Sequence, residues 1–516
     1  MSPANVHHRR HLFLAGLVLL VAVLLRAWDL DLKPPHFDEG INGGFTDRML
    51  AQGGYHYDPT NYHGPLHFYL LLLSQSICGH NIEALRLPSV LAGAAVVAVA
   101  LFGFRRHLGA GAALWLGAFL AVSPAMVFVS RYAIHEMSML LFLMLTTLGF
   151  MDHWSGRRGA WLICLGAAGM ILTKETYVIH LACLGLAWLV WRGLRSVAPD
   201  TEPPCETPAG DRGRQFAAPL AVAVATVLFF YSAGLTHPEG VTGLWRTFAA
   251  WTQTGLEHGG HAKPWHYWLG LMWRYEWIAL AGFALSARFL VAGSKSVRIA
   301  VIAGAGTLAA YSLISYKTPW CIVVILWAGS LALACLLDQL GRRKRIAAAA
   351  IGLVLAGHDA WACLRLNWRD YDHEREPYVY VQTSREIERF TGVLRRSAEQ
   401  DPLNRNRAGV IVAAAPFPLP WMLRDHPRLT YLGPEQPLTT AVTTADFLLV
   451  QASRRAETEA LLADDFFVVD LILRHGHEPM TAYFRARRHD ASMLSGPVQK
   501  RRFPVPRPTT EEEVAR

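Results

Sequence analysis

Charge is what this sequence has little of. Only 17% of its 516 residues are Asp, Glu, Lys or Arg, against about 25% in soluble domains. With 52% hydrophobic residues and repeated apolar runs, that shortage argues against a soluble enzyme and points to a chain with many membrane helices. The net charge of +9 does not then indicate nucleic acid, because cytoplasmic loops of membrane proteins collect Lys and Arg. Paired cysteine motifs are missing too. Cys78, Cys164, Cys183, Cys205, Cys321, Cys335 and Cys363 are scattered, mostly inside apolar runs, so neither a zinc site nor a disulfide framework is signalled. His7-His8-Arg9-Arg10-His11 precedes an apolar run as in a signal peptide, but no A-x-A-like site follows, and a retained first helix is expected. No internal repeat is present.

The fold class expected is mainly α: a polytopic helical membrane protein of about eleven spans, followed by an extracytoplasmic α/β domain. The spans are placed near 12–28, 88–104, 110–129, 137–151, 160–173, 177–194, 217–235, 268–291, 299–315, 320–337 and 346–363. The run from Pro65 to Gly79 is short for a crossing, and the positive-inside rule decides its placement. If it does not cross, the loops holding Arg105-Arg106, Arg157-Arg158, Lys295 with Arg298, the 342–345 basic run and the 195–216 loop all face the cytoplasm. Residues 65–79 are therefore expected to lie along the outer face.

That topology leaves loops 29–87, 130–136, 174–176, 236–267 and 316–319 facing outward. They carry Asp38-Glu39, the stretch from Arg131 to Glu136, Lys174-Glu175, His237-Pro238-Glu239 and Lys317. Ionisable groups beside a bilayer are costly and mark function, so their convergence on one face locates a candidate site. Asp38 and Glu39 stand just past the first span. A carboxylate there can deprotonate a hydroxyl or hold a cation. In an extended loop the two would point opposite ways and differ in role, against the bland alternative of a helix cap. Tyr62-His63-Gly64-Pro65 reads as a helix start, with His63 close to that loop. Arg86, Arg131, Lys174 and Lys317 sit at outer span ends, placed to grip a phosphate or, more ordinarily, to snorkel to lipid headgroups. Glu257-His258-Gly259-Gly260-His261 lacks the spacing of a helical metal motif. Trp245, Trp251, Trp265, Trp268 and Trp273 read as an interfacial belt.

Three segments are expected: 1–363 in the membrane, 364–494 as an α/β domain, and 495–516 as a disordered tail. In the second, Ser384–Glu399 has helical spacing, while Gly409–Ala415, Asp446–Gln451, Asp465–Arg474 and Thr481–Arg487 read as strands. An odd number of spans from a cytoplasmic N-terminus places this domain outside the cell membrane.

Taken together, HFDEG, YHGPLHFYL, SRYAIHEM, LTKET and YKTPW resemble the GT-C superfamily of membrane glycosyltransferases, which includes protein O-mannosyltransferases and aminoarabinose lipid A transferases. More closely they are similar to a prokaryotic branch described as flippase activity-associated and linked to protein N-glycosylation. The resemblance covers roughly residues 30–363. It implies a hexosyltransferase that moves a sugar with inversion from a polyprenyl-phosphate donor to a lipid, glycan or protein acceptor on the extracytoplasmic face. Asp38 would act as base and Glu39 would assist. Glu136 matches the acid that follows the third span in related enzymes, and Lys174 the basic residue of the TKE motif. By their position on the outer face, His63, Arg86, Arg131, His135, Glu175 and Lys317 are expected to complete the substrate-binding set. The resemblance leaves a divalent cation open and implies no other cofactor. The branch name also implies an alternative, a lipid-oligosaccharide flippase or its non-catalytic partner. That alternative expects charges lining a path at mid-membrane.

Overall fold

A computed structural model describes residues 3–198, 200, 214–257, 261–341, 343–438, 440–476 and 478–504. Most of the 195–216 loop, His258 to Gly260, Arg342 and the tail from 505 lie outside it. Among the described residues seven helices are long and apolar enough to cross a bilayer: His8–Ala27, Ile82–Leu108, Glu136–Trp154, Tyr177–Leu194, Lys295–Leu313, Pro319–Gly341 and Arg345–Arg369. An eighth arises if Ala110–Val122 and Pro124–Ser130, bent by 60°, count as one span. Of the other expected spans, Ala160–Ile171 and Gln215–Tyr231 are shorter apolar helices. Residues 268–291 are interrupted, as Tyr267–Tyr275, Trp277–Ala284 and Arg288–Val291.

The chain divides into two compact units. One comprises Met1–Leu32, Phe45–Tyr371 and Glu376–Tyr380; the other comprises Lys33–Gly44, Asp372–Arg375 and the chain from Val381 onward. The boundary expected near 363 therefore misses one feature. The segment that carries Asp38 and Glu39 belongs with the C-terminal unit.

In the first unit, helices α1 (Pro3–Ala27), α2 (Phe37–Gln52), α3 (Leu66–Cys78) and α4 (Ile82–Ala98) open the chain, α2 beginning in the second unit. The thirteen residues of α3 reach about 20 Å at 1.5 Å per residue, short of a hydrocarbon core of about 30 Å. The helix breaks are closed by buried ionisable side chains. At Ser123, where the bent pair breaks, the Glu276 carboxylate accepts from the Ser123 hydroxyl (2.8 Å) and the Ala125 N–H (2.7 Å). The Arg26 guanidinium donates to the carbonyls of Leu120 (2.9 Å) and Ala121 (3.2 Å). At Glu276 itself, the Asp359 carboxylate accepts from the N–H groups of Trp277 (3.0 Å) and Ile278 (3.3 Å). Backbone groups freed by a bend in lipid must be satisfied internally, and these three side chains do so.

The second unit is built on a six-stranded sheet of order β2-β1-β3-β5-β4-β6. Its strands are β1 Gly409–Val412, β2 Leu429–Leu432, β3 Phe447–Gln451, β4 Asp464–Leu471, β5 Met480–Arg485 and β6 Gln499–Phe503. β1 pairs in parallel with β2 and β3, and the remaining pairings are antiparallel. The helix Glu388–Gln400 lays Phe390, Val393 and Leu394 on one face of the sheet, against Phe447 and Phe484. The α/β expectation holds for four strands and this helix. β2, only partly buried, was not foreseen. The expected disorder of 495–516 does not extend to β6, whose QKRRF pairs with β4 as an edge strand. Its run of basic residues hid it, since exposed edge strands carry Lys and Arg.

Candidate functional site

Within the first unit, the motif around His63 and the LTKE motif are brought together by backbone pairing. The Gly64 N–H bonds to the Thr173 carbonyl (3.1 Å) and the Leu66 N–H to that of Leu172 (3.0 Å). A side chain at Gly64 would strike the Leu172 carbonyl, so only glycine permits this approach. It sets His63 Nδ1 2.9 Å from Glu175 Oε2. Burial would push the Glu175 carboxyl up, but His63 and then Lys174 outweigh it and hold the group below the ordinary carboxylate range.

Lys174 and Glu175 occupy the tight turn between Ala160–Ile171 and Tyr177–Leu194, and Glu136 opens the helix Glu136–Trp154. A carboxylate is favoured at such a helix N-terminus. Lys174 Nζ donates to Glu136 Oε1 at 2.6 Å and lies 3.6 Å from Cys321 Sγ, and all three groups are buried or nearly so. Burial works against the ammonium. The Cys321 sulfur and the carboxylates of Glu136 and Glu175 overcome it and keep Lys174 well above the usual lysine range. His135 is buried, with its ring 4.6 Å from that of His63 and 4.3 Å from that of His67. Burial, aided by His67, His63 and Lys174, holds it well below the ordinary histidine value, as a neutral imidazole. Five of the expected residues, His63, His135, Glu136, Lys174 and Glu175, thus form one connected set.

The other three expected cations bond to backbone. Arg86 donates to the Leu30 carbonyl (2.6 Å), and Arg131 to the carbonyls of Asp29 (2.6 Å) and Trp28. Both guanidiniums are buried, and that of Arg131 also lies 4.8 Å over the Trp368 ring. They close the end of α1, where carbonyls have no partner within the helix. Lys317 donates to the Ile314 carbonyl, past the end of Lys295–Leu313, and to that of Lys263 at 3.3 Å. Burial lowers its pKa.

Asp38 and Glu39 stand in the second unit, on the first turn of α2. They are helical, which corrects the expectation of an extended loop. His36 Nδ1 accepts from the Asp38 N–H (3.0 Å), and Glu39 Oε2 reaches back to the His36 N–H (2.8 Å), the reciprocal pattern of a capping box. Glu39 is fully buried, while the Asp38 side chain is 36% exposed. The two acids do differ in environment, through capping rather than strand alternation.

Among the described residues no three His, Cys, Asp or Glu side chains are grouped to hold a metal ion. Glu257-His258-Gly259-Gly260-His261 falls largely outside the described residues. Of the expected aromatic belt, Trp245, Trp265 and Trp273 are exposed, but Trp268 is in the core and donates to the Tyr311 carbonyl at 2.9 Å. Arg26, Glu276 and Asp359 were not singled out from the sequence. Their signal was there: each is an ionisable residue inside an expected span.

The family model described as dolichyl-phosphate-mannose-protein mannosyltransferase matches residues 62–201. No curated protein matches the sequence. Among solved structures, ArnT from Cupriavidus metallidurans bound to undecaprenyl phosphate is similar at 14% identity and a TM-score of 0.58, covering 93% of this chain and 99% of its own. The same protein in the apo state is similar at 14% identity and a TM-score of 0.59, covering 96% and 100%. The Archaeoglobus fulgidus oligosaccharyltransferase tethered to an acceptor peptide is more distant, at 12% identity and a TM-score of 0.48, covering 95% and 75%. The resemblance read from the motifs has its counterpart in the fold, which is similar to that of ArnT over nearly the whole chain.

Proposed function

Starting from a chain with the GT-C fold, we propose that this protein is an integral-membrane glycosyltransferase. It transfers a sugar from a polyprenyl-phosphate donor to an acceptor on the extracytoplasmic face, with inversion. The observation that carries this reading is the set of buried Lys174, Glu136 and Glu175 with half-buried His63, inside the stretch matched by the mannosyltransferase model. The likeness to an ArnT structure bound to undecaprenyl phosphate supports a lipid-phosphate donor.

In this reading Asp38, the half-exposed acid of the pair, takes the proton of the acceptor hydroxyl. The hydroxyl oxygen attacks the anomeric carbon, and the bond to the lipid phosphate breaks on the opposite face. Glu39 assists by holding the cap that orients Asp38. Lys174 directs two of its three N–H bonds at Glu136 and Cys321, leaving one for a phosphate oxygen of the donor, and His63 lies beside it. Arg86, Arg131 and Lys317 support the site by fixing backbone. The test is purified protein in detergent with a panel of polyprenyl-phosphate sugars. Asp38→Asn should abolish transfer without loss of folded protein. Full transfer by that variant would sink the assignment of the base. Lipid flipping in liposomes, with no transfer by the wild type, would replace the whole reading with the flippase one.

A further inference from the structure

β4 is antiparallel to β5, which is antiparallel to β3, so β1, β3 and β4 run the same way. Their carboxyl ends share one edge of the sheet. At β1 the order reverses, with β2 on one side and β3 on the other. In open α/β sheets this is where a ligand crevice forms. Here the chain's own residues 33–44 pack against that edge. The loop after β1 is fixed by Gln451, which accepts from the Ala414 N–H (2.9 Å). Arg474, three residues past β4, donates to the carbonyls of Ala415 (2.7 Å) and Phe417 (2.9 Å). Its guanidinium also lies 4.7 Å over the Phe37 ring, which meets Phe417 edge-on at 5.8 Å. Gln382 donates to the Pro34 carbonyl at 2.9 Å. A side chain at Gly40 would run into the Pro418 backbone, and one at Gly43 into the buried Trp421 indole.

We infer that the C-terminal domain is a positioning device: its crevice, through Arg474, Pro418 and Trp421, holds the first turns of α2 and so fixes where the Asp38 carboxylate stands. The inference rests on Asp38 as the base, and it gives Gly40 and Gly43 a reason. Arg474, Pro418 and Trp421 are positioning residues and touch no reacting atom.

The test uses the full chain in detergent with two readouts. Hydrogen exchange is followed in peptides covering 36–44 and 447–451, and transfer kinetics are measured with the polyprenyl-phosphate sugars. Gly43→Ala should raise exchange in 36–44 by about tenfold or more while leaving β3 protected. It should lower kcat by up to about a hundredfold with donor KM within about twofold. Adding Trp421→Leu, which makes room for the new methyl group, should restore most of both. Unchanged exchange in 36–44, or a double variant no better than Gly43→Ala, would overturn the inference. If Gly43→Ala loosens β3 as well, Arg474→Lys carries the same test, keeping the charge but losing the paired contact with Ala415 and Phe417. Failure of the base assignment is distinguishable, because Asp38→Asn would then transfer normally while the exchange result stood.

Discussion

Two groups of buried charges in the membrane unit look alike in the sequence and differ in what they bond to. In one, Lys174 pairs with Glu136, and Glu175 with the half-buried imidazole of His63. In the other, Arg26, Arg86, Arg131, Glu276 and Asp359 terminate mainly on backbone carbonyls and N–H groups where helices end or break. A charge held by another charge can exchange part of its partnership for a substrate. A charge that closes a helix end cannot leave without exposing backbone to a low dielectric. On the proposed function, the partner, more than the depth, separates a reactive group from a structural one.

The largest effect that tests this comparison is at Lys174. Lys174→Met strands the Glu136 carboxylate in the interior, and losing one member of a buried ion pair costs about 3–5 kcal/mol. Lys174→Met with Glu136→Gln should recover most of that stability in detergent unfolding, because the stranded charge is gone, yet remain inactive in transfer. An active double variant would move the pair into the structural group.

Arg131→Met comes next. It leaves the carbonyls of Trp28 and Asp29 short of a donor, at a cost of about 1–3 kcal/mol. Donor KM should stay within about twofold, since a clamp on α1 adds no transition-state contact. A tenfold rise in KM with stability unchanged would return Arg131 to the phosphate-binding role its position at a span end first implied.

The sequence made the first group legible because its members fall in short polar motifs on loops assigned outward by the Lys and Arg count. The junction of His63 with the TKE turn was not legible, since it depends on a backbone approach at Gly64. Arg26, Glu276 and Asp359 were lost inside apolar runs, where composition averages one charge away. The break at Glu276 therefore read as one continuous span from 268 to 291. The allegiance of 33–44 to the C-terminal unit was invisible for another reason. It is a long-range contact made by Phe37 and two glycines, and no local period records it. In the C-terminal domain, buried runs such as Phe447–Gln451 could be read as strands, while half-exposed β2 and basic β6 could not.

The smallest expected effect is in pH, and it probes the same cluster through its neutral member. His135 is held well below the ordinary histidine range by burial and by His67, His63 and Lys174 around it. Below about pH 6.5 the unfolded chain takes up a proton there that the folded chain refuses. Stability therefore falls as pH drops through that window, by about 1.4 kcal/mol per unit for one such group. Glu175 has the opposite charge and a depressed value. Its contribution is complete above the ordinary carboxylate range and is lost only at lower pH, so the two are separable. Thermal unfolding in detergent at pH 7.5, 6.5, 5.5 and 4.5 should show a decline that His135→Gln makes shallower above pH 5, with the acid limb below it retained. An unaltered decline in that variant would mean that a group other than His135 takes up the proton.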